Sequence, residues 1–538
     1  MSTEKRTFIV NNIKLSVNAS YKEAFSVARR RLSRLGIKSA GLSFSIYRRS
    51  VDARRKSDVS FVYSVAVTGE LPSPSRERLM EADVALLPPV SLSTVMLGEE
   101  KMSAPPLIVG SGPCGLFAAL LLAENGYAPI LIERGGSVKE RQGSVSRFNT
   151  AQILDPDTNI QFGAGGAGTF SDGKLITRIN DPISSYVLSR LVEFGAPKEI
   201  LYLAKPHVGT DVLAPVITKI IERIEELGGK VLFHTKYINH TERPNGNIAI
   251  TSRGEIPCSA IILAIGHSAR DTYDGLIYGG YSIEAKPFSV GMRIEHLAES
   301  IDKALYGDFA GHSALGHAEY NLSHNTKVRG VYTFCMCPGG EVVAAASEIG
   351  GVVVNGMSAH ARDGKNSNSA VVCSIFKEDY GQTPRAAIDF QRKIERAAFY
   401  AGGGDYSAPI SSVGDFLSST GVHGSRKVTP TYMGGIHVKE ARPEEFLPDF
   451  VCTAIRNALY DFDKKIPGFS SPDAILTGAE TRTSAPIRIL RDPETRLAIG
   501  TRNLYPAGEG AGYAGGITSA AIDGIKTAFA VMKRYKPL

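Results

Sequence analysis

The chain of 538 residues carries 61 Lys/Arg against 54 Asp/Glu, a net charge of +7, and is 43% hydrophobic and 21% charged. That balance describes a globular chain with room for several domains and excludes disordered and collagen-like classes. Six cysteines without C-x-x-C spacing speak against a disulfide framework or a zinc site, and the absence of any long uninterrupted apolar stretch leads us to expect a cytoplasmic protein without membrane spans.

Residues 1–100 hold 16 Lys/Arg against 10 Asp/Glu, nearly all of the excess charge. Within them 7–16 reads as a strand and 21–35 as an amphipathic helix, with Ala24, Phe25, Ala28, Leu32 and Leu35 on one side. Strands at 41–47 and 59–67 flank a basic connection from Arg48-Arg49 to Arg54-Arg55-Lys56, which completes a small β-α-β-β module. Such charge suits contact with nucleic acid. No RNA-binding signature accompanies it, so a solvated face on a module packed against the rest of the chain is the stronger reading. Pro72, Pro74, Pro88 and Pro89 mark a linker, and Pro105-Pro106 opens the next domain.

Residues 107–109 read as a buried parallel strand, and Gly110-Ser111-Gly112-Pro113-Cys114-Gly115 then supplies G-x-G-x-x-G at a helix entrance. In that pattern Gly110 makes the turn, Gly112 lets backbone approach a pyrophosphate, and Gly115 lets the helix pack on the sheet. A second apolar strand, 129–132, delivers Glu133 at the spacing where an acid accepts hydrogen bonds from a ribose. Strand, helix, strand and acid in phase predict a dinucleotide site.

The polar stretch 136–149 reads as loop or helix. Residues 162–175, FGAGGAGTFSDGKL, predict an ordered loop running flush against a flat ligand, with Lys174 as a positive charge beside it. A helix at 212–227, the Gly228-Gly229 cap and a strand at 230–235 follow, then a short antiparallel element around 248–256. The apolar strand 259–266 ends at Gly266 and returns the chain to the cofactor. Residues 286–470 carry no second glycine fingerprint and read as a mixed insertion, with strands at 328–335 and 341–349 and helices at 383–401 and 443–462. Cys335 and Cys337, a C-x-C pair at the end of one of these strands, read as structural cysteines and not as a redox pair. Residues 479–489 read as one strand that puts Arg482 and Arg488 on a shared face, for an anionic group or for salt bridges.

The segment from Leu504 to Ile517 ends a strand, passes through Gly508-Glu509-Gly510 and Gly516, and starts a helix. This resembles the second flavin motif of the glutathione-reductase-like FAD superfamily. The motifs GSGPCG, ERGG, GAGGAGTFSDGKL, AKPHVGTD, ETRTSAPIRI and GEGAGYAGGI together resemble the bacterial family of uncharacterised FAD-dependent dehydrogenases. The resemblance implies FAD and an α/β architecture: a Rossmann-like FAD-binding domain (101–285 and 471–538) interrupted by a mixed α+β substrate or cap domain (286–470) and preceded by the small module (1–100). It implies cofactor contacts from Gly110, Gly112, Pro113, Cys114, Gly115, Glu133, Arg134 and Arg141. The glycine loop would add Gly165, Gly166, Thr169, Ser171 and Gly173, and later turns would add Gly266, Gly508, Glu509, Gly510, Gly516 and Ile517. Lys205, His207, Arg482 and Arg488 are the candidate catalytic groups. The expected activity is hydride exchange between a small-molecule substrate and flavin N5, with NAD(P)H as a compatible transient donor. The alternative is a flavoprotein that binds or modifies RNA through its basic module.

Overall fold

The computed structural model describes residues 4–71, 75–87, 96–177, 181–243, 246–418 and 427–538. The linker positions Pro72, Pro74, Pro88 and Pro89 lie outside them. Strands Ser43–Asp52, Ser60–Leu71, Glu4–Ser16 and Val84–Leu87 form an antiparallel sheet in that order, and helix Lys22–Arg34 buries Ala24, Ala28 and Leu32. The four-residue strand Val84–Leu87 is absent from the sequence reading, being too short to show a period. Arg48 and Arg49 belong to the edge strand, not to the basic connection, because a register shift after Ile46 carries pairing on to Asp52.

The parallel sheet has five strands in the order Leu504–Pro506, Ile261–Leu263, Leu107–Val109, Ile130–Ile132 and Lys230–Leu232. From Leu107–Val109 the chain builds outward to one side through Lys230–Leu232, and later to the other through Ile261–Leu263. A switch point therefore lies between those two central strands. The strands expected at 230–235 and 259–266 pair over three residues only, because their ends splay into loops. Helix Pro113–Glu124 is buried from Cys114 to Ala123, pressed between the sheet and helix Ile517–Arg534. Gly524 permits that contact, since a Cβ there would stand 2.1 Å from the Cys114 carbonyl oxygen.

A seven-stranded, mostly antiparallel sheet runs in the order Ser323–Asn325, Gly330–Cys337, Asn366–Ile375, Phe288–Leu297, Ile475–Glu480, Ala408–Ser412 and Val438–Glu440. The strand expected at 341–349 stops at Ala344 and turns back to pair with Val354–Met357. The helix expected at 443–462 is instead a short 3-10 turn, Pro443–Glu445, and a helix, Asp449–Lys465, separated by Pro448. The strand expected at 479–489 is two strands, Ile475–Glu480 and Ile487–Ile489, the second paired with Ile283–Ala285. Arg482 and Arg488 thus sit on different elements. One apolar core continues from the N-terminal sheet into this sheet, and another lies under the parallel sheet. Among the described residues no helix is long and apolar enough to cross a membrane.

Candidate functional site

A cavity of about 1160 Å³ opens at the carboxyl ends of the parallel strands, at their switch point, and reaches the seven-stranded sheet. It stands just above the usual range for ligand sites, about 300–1,000 Å³. Of the expected cofactor residues, Gly110, Gly112, Pro113, Cys114, Glu133, Arg134, Gly166, Ser171, Gly266, Glu509, Gly516 and Ile517 line it. Gly115, Arg141, Gly165, Thr169, Gly173, Gly508 and Gly510 do not. They pack behind the wall: a Cβ on Gly115 would stand 1.9 Å from the Gly110 carbonyl oxygen, which fixes how closely the helix meets the turn.

Gly112 caps helix Pro113–Glu124, whose unpaired N-terminal amides and dipole favour an anion. A Cβ on Gly112 would meet nothing closer than the Gly166 Cα at 3.9 Å, so the turn leaves open space where a pyrophosphate would lie. Glu133, 5% exposed, has both oxygens engaged. One accepts from Ser111 N (2.9 Å) and Ser111 Oγ (2.7 Å), the other from Gly135 N and Gly163 N (3.0 Å each). Here the acid stitches the phosphate turn to the glycine loop, and no lone pair is left for the ribose contact expected of it. Arg141 donates to the carbonyls of Asn159, Ile160 and Ala164 and lies over Phe170. Burial pulls its pKa down to about 9, opposed by Glu133. Arg134 pairs with Asp157 and Asp271 and stacks on Phe162.

At the other end Gly512 to Ile517 form the wall, with Gly516 capping helix Ile517–Arg534. Asp523 fixes that turn by accepting from Gly508 N (2.8 Å) and Arg491. Glu509 has its pKa pushed by burial from 4.5 to about 7, with Lys286 opposing. An alternating charge chain runs along the next wall: Lys174 to Asp172 (2.6 Å), Asp172 to Arg362 (2.5 Å), Arg362 to Glu319 (2.6 Å) and Glu319 to Lys205 (3.2 Å). Burial would raise the Asp172 pKa, but Lys174 and Arg362 hold it at about 2.

Among the catalytic candidates Lys205, Arg482 and Arg488 line the cavity and His207 does not. His207 Nε2 faces the His360 carbonyl at 3.1 Å, its ring stacks on His360, and burial, with Arg362, lowers its pKa. Its backbone is bridged to that of Lys174, which does line the cavity. Arg482 donates to Glu395 and Ser347, and Arg488 pairs with Glu284 at 3.3 Å. The sequence leaves His267, Lys286 and Glu480 outside the expected site and reads Cys335 as structural, and all four stand on the cavity wall. His267 carried a signal, standing directly after Gly266. Burial, then Arg482 and Arg270, drive its pKa down to about 3, so its ring is neutral.

Residues 103–156 match an FAD binding domain, 287–483 the C-terminal domain-like part of FAD-dependent proteins, and 9–68 a domain of unknown function. A solved glycine oxidase from Geobacillus kaustophilus is 12% identical over 80% of this chain and 94% of its own, at a TM-score of 0.32. CtdE in complex with FAD is 14% identical over 80% and 84%, at the same TM-score of 0.32. Likeness at that level carries nothing about mechanism. The FAD binding match spans the glycine fingerprint and Glu133, and FAD is the cofactor. An uncharacterized protein of Clostridium beijerinckii is 44% identical over 98% of both chains. At that identity over almost the full length, the chain belongs to the same family of FAD-dependent proteins as its Clostridium beijerinckii relative.

Proposed function

We propose that the protein is an FAD-dependent oxidoreductase that moves a hydride between a small-molecule substrate and flavin N5. The observation behind this reading is that two glycine turns far apart in sequence, 110–115 and 508–516, open on one cavity, each at the start of a long helix. FAD supplies a two-electron acceptor when bound. The residues of this chain supply placement and charge: Gly112 and the helix behind it take the pyrophosphate, and the start of helix Ile517–Arg534 stabilises negative charge on the reduced ring. The substrate lies against the seven-stranded sheet, beside Tyr332, Glu480 and Arg482. Burial raises the Glu480 pKa against the pull of Arg293, whose Nε lies 3.0 Å from its carboxylate at the cavity wall. In this reading 101–285 and 471–538 form a glutathione-reductase-like FAD unit, and 286–470 caps it.

Gly112→Leu tests the reading, because φ at Gly112 is −69° and the added side chain enters open space. Stripped of FAD, the variant should keep the melting temperature of stripped wild type, and it should bind FAD at least about tenfold more weakly, a loss of about 1.4 kcal/mol. Unchanged flavin stoichiometry in the purified variant would refute the phosphate placement. Anaerobic addition of NADPH and candidate metabolites, read as bleaching of the flavin band, then identifies the donor.

A further inference from the structure

Cys335 and Cys337 read from the sequence as structural cysteines, yet residues two apart on a strand share one face. Two features of the backbone set this pair apart from an ordinary stretch of strand. Cys335 has φ 47°, in the left-handed region that a cysteine rarely adopts. The pairing of strand Gly330–Cys337 with Asn366–Ile375 also shifts register between Phe334 and Cys337. The Cys337 thiol bends back to donate to the Cys335 carbonyl, with Sγ 3.3 Å from that oxygen. Cys337 Sγ is also 3.9 Å from both Lys174 Nζ and Arg293 Nη1, and Arg293 Nη1 donates to the Cys335 carbonyl at 3.0 Å. Cys335 lines the cavity and Cys337 lies buried behind it. A non-glycine residue held at positive φ beside a cofactor cavity is where a functional constraint is to be sought.

Resting on the FAD cavity read above, we propose that Cys335 and Cys337 are a redox-active dithiol that closes to a disulfide and exchanges two electrons with bound FAD. On closure two S–H bonds break and one S–S bond forms. Two electrons and one proton reduce FAD to FADH⁻, and the second proton goes to water. Opening is the reverse. Lys174 and Arg293 act on both thiols and stabilise whichever sulfur becomes the thiolate. Burial raises the Cys335 pKa to about 11 against the pull of Lys174, so the Cys335 thiol keeps its proton at neutral pH. The other neighbouring thiols, Cys373 and Cys452, are buried in the apolar core away from the cavity and serve as internal controls.

The experiment uses the full-length holoprotein. Diamide treatment and desalting should leave Cys335 and Cys337 closed to alkylation, read by mass spectrometry of their shared peptide. Anaerobic photoreduction of the bound flavin, with no added thiol, should then make both alkylatable, while FAD-stripped protein in the same light stays closed. Cys335→Ser and Cys337→Ser should each leave the remaining thiol alkylatable throughout. Thiols that stay open after diamide overturn the disulfide, and a disulfide that survives full flavin reduction overturns the exchange. Protein that retains no flavin overturns the reading of the cavity together with the exchange, and the diamide result still decides closure by itself.

Discussion

Glu509 shows what the cavity does to a single residue. Its carboxylate faces the cavity wall, with Lys286 as the charge that opposes burial. Because folding raises its pKa from 4.5 to about 7, the folded chain keeps a proton between those values that the unfolded chain has lost. Its contribution to stability is therefore full below pH 4.5 and falls as pH rises through 7. Glu509→Gln has no such proton to lose. In FAD-stripped protein, the stability of the wild type relative to Glu509→Gln should decline by about 2 kcal/mol between pH 4.5 and 7.5, allowing for partial exposure. Thermal melts of both chains across that range check it, and parallel pH profiles would show that Glu509 is solvated.

At the scale of the element, helix Pro384–Ala401 ties the parallel sheet to the wall of the cavity. Gln391 and Glu395 stand one turn apart on its buried face. Glu395 takes two hydrogen bonds from Arg270 at 2.8 Å and two from Arg482 at 3.1 Å, and Gln391 joins Arg270 to the Thr481 carbonyl. Arg270 and Glu395 are 1% and 2% exposed, so the ions rest on one another and not on water. Glu395→Gln leaves two buried guanidinium groups short of a counter-charge and should destabilise the chain by about 3–5 kcal/mol in urea unfolding. A loss under about 1 kcal/mol would mean that Glu348, which also pairs with Arg270, suffices. The sequence shows Arg482 as a ligand-binding candidate, and periodicity has no means of revealing that a helix nearly ninety positions away supplies its partner.

Across the whole molecule, the basic N-terminal module is bound to the segment that carries Lys205. Arg49 N donates to the Tyr202 carbonyl at 2.7 Å, its own carbonyl accepts from Ala204 N at 2.9 Å, and its guanidinium lies over Phe61 and Tyr202. The module also shares an apolar core with the seven-stranded sheet. Exchange of the Ala204 amide should therefore rise at least about tenfold when residues 1–95 are deleted. Equal protection in both chains would show that the strand contact is not maintained in solution.

The sequence by itself determined the parts whose signal is local. The fingerprint at Gly110 to Gly115, the acid at Glu133 and the helix start at Gly516 and Ile517 are legible because each chemical requirement falls on a few adjacent residues. The strands Phe288–Leu297 and Asn366–Ile375 gave no such signal. They are buried on almost every residue, Arg293, Glu295 and Asn366 to Ser369 included, so the alternation that marks a half-buried strand is missing. Only the tertiary structure decided that Glu133 and Arg141 hold the loop, that His207 packs on His360, and that Cys335 and Cys337 lie near the same two cations. Those outcomes depend on which groups from distant segments meet, and a chain read one window at a time does not contain them.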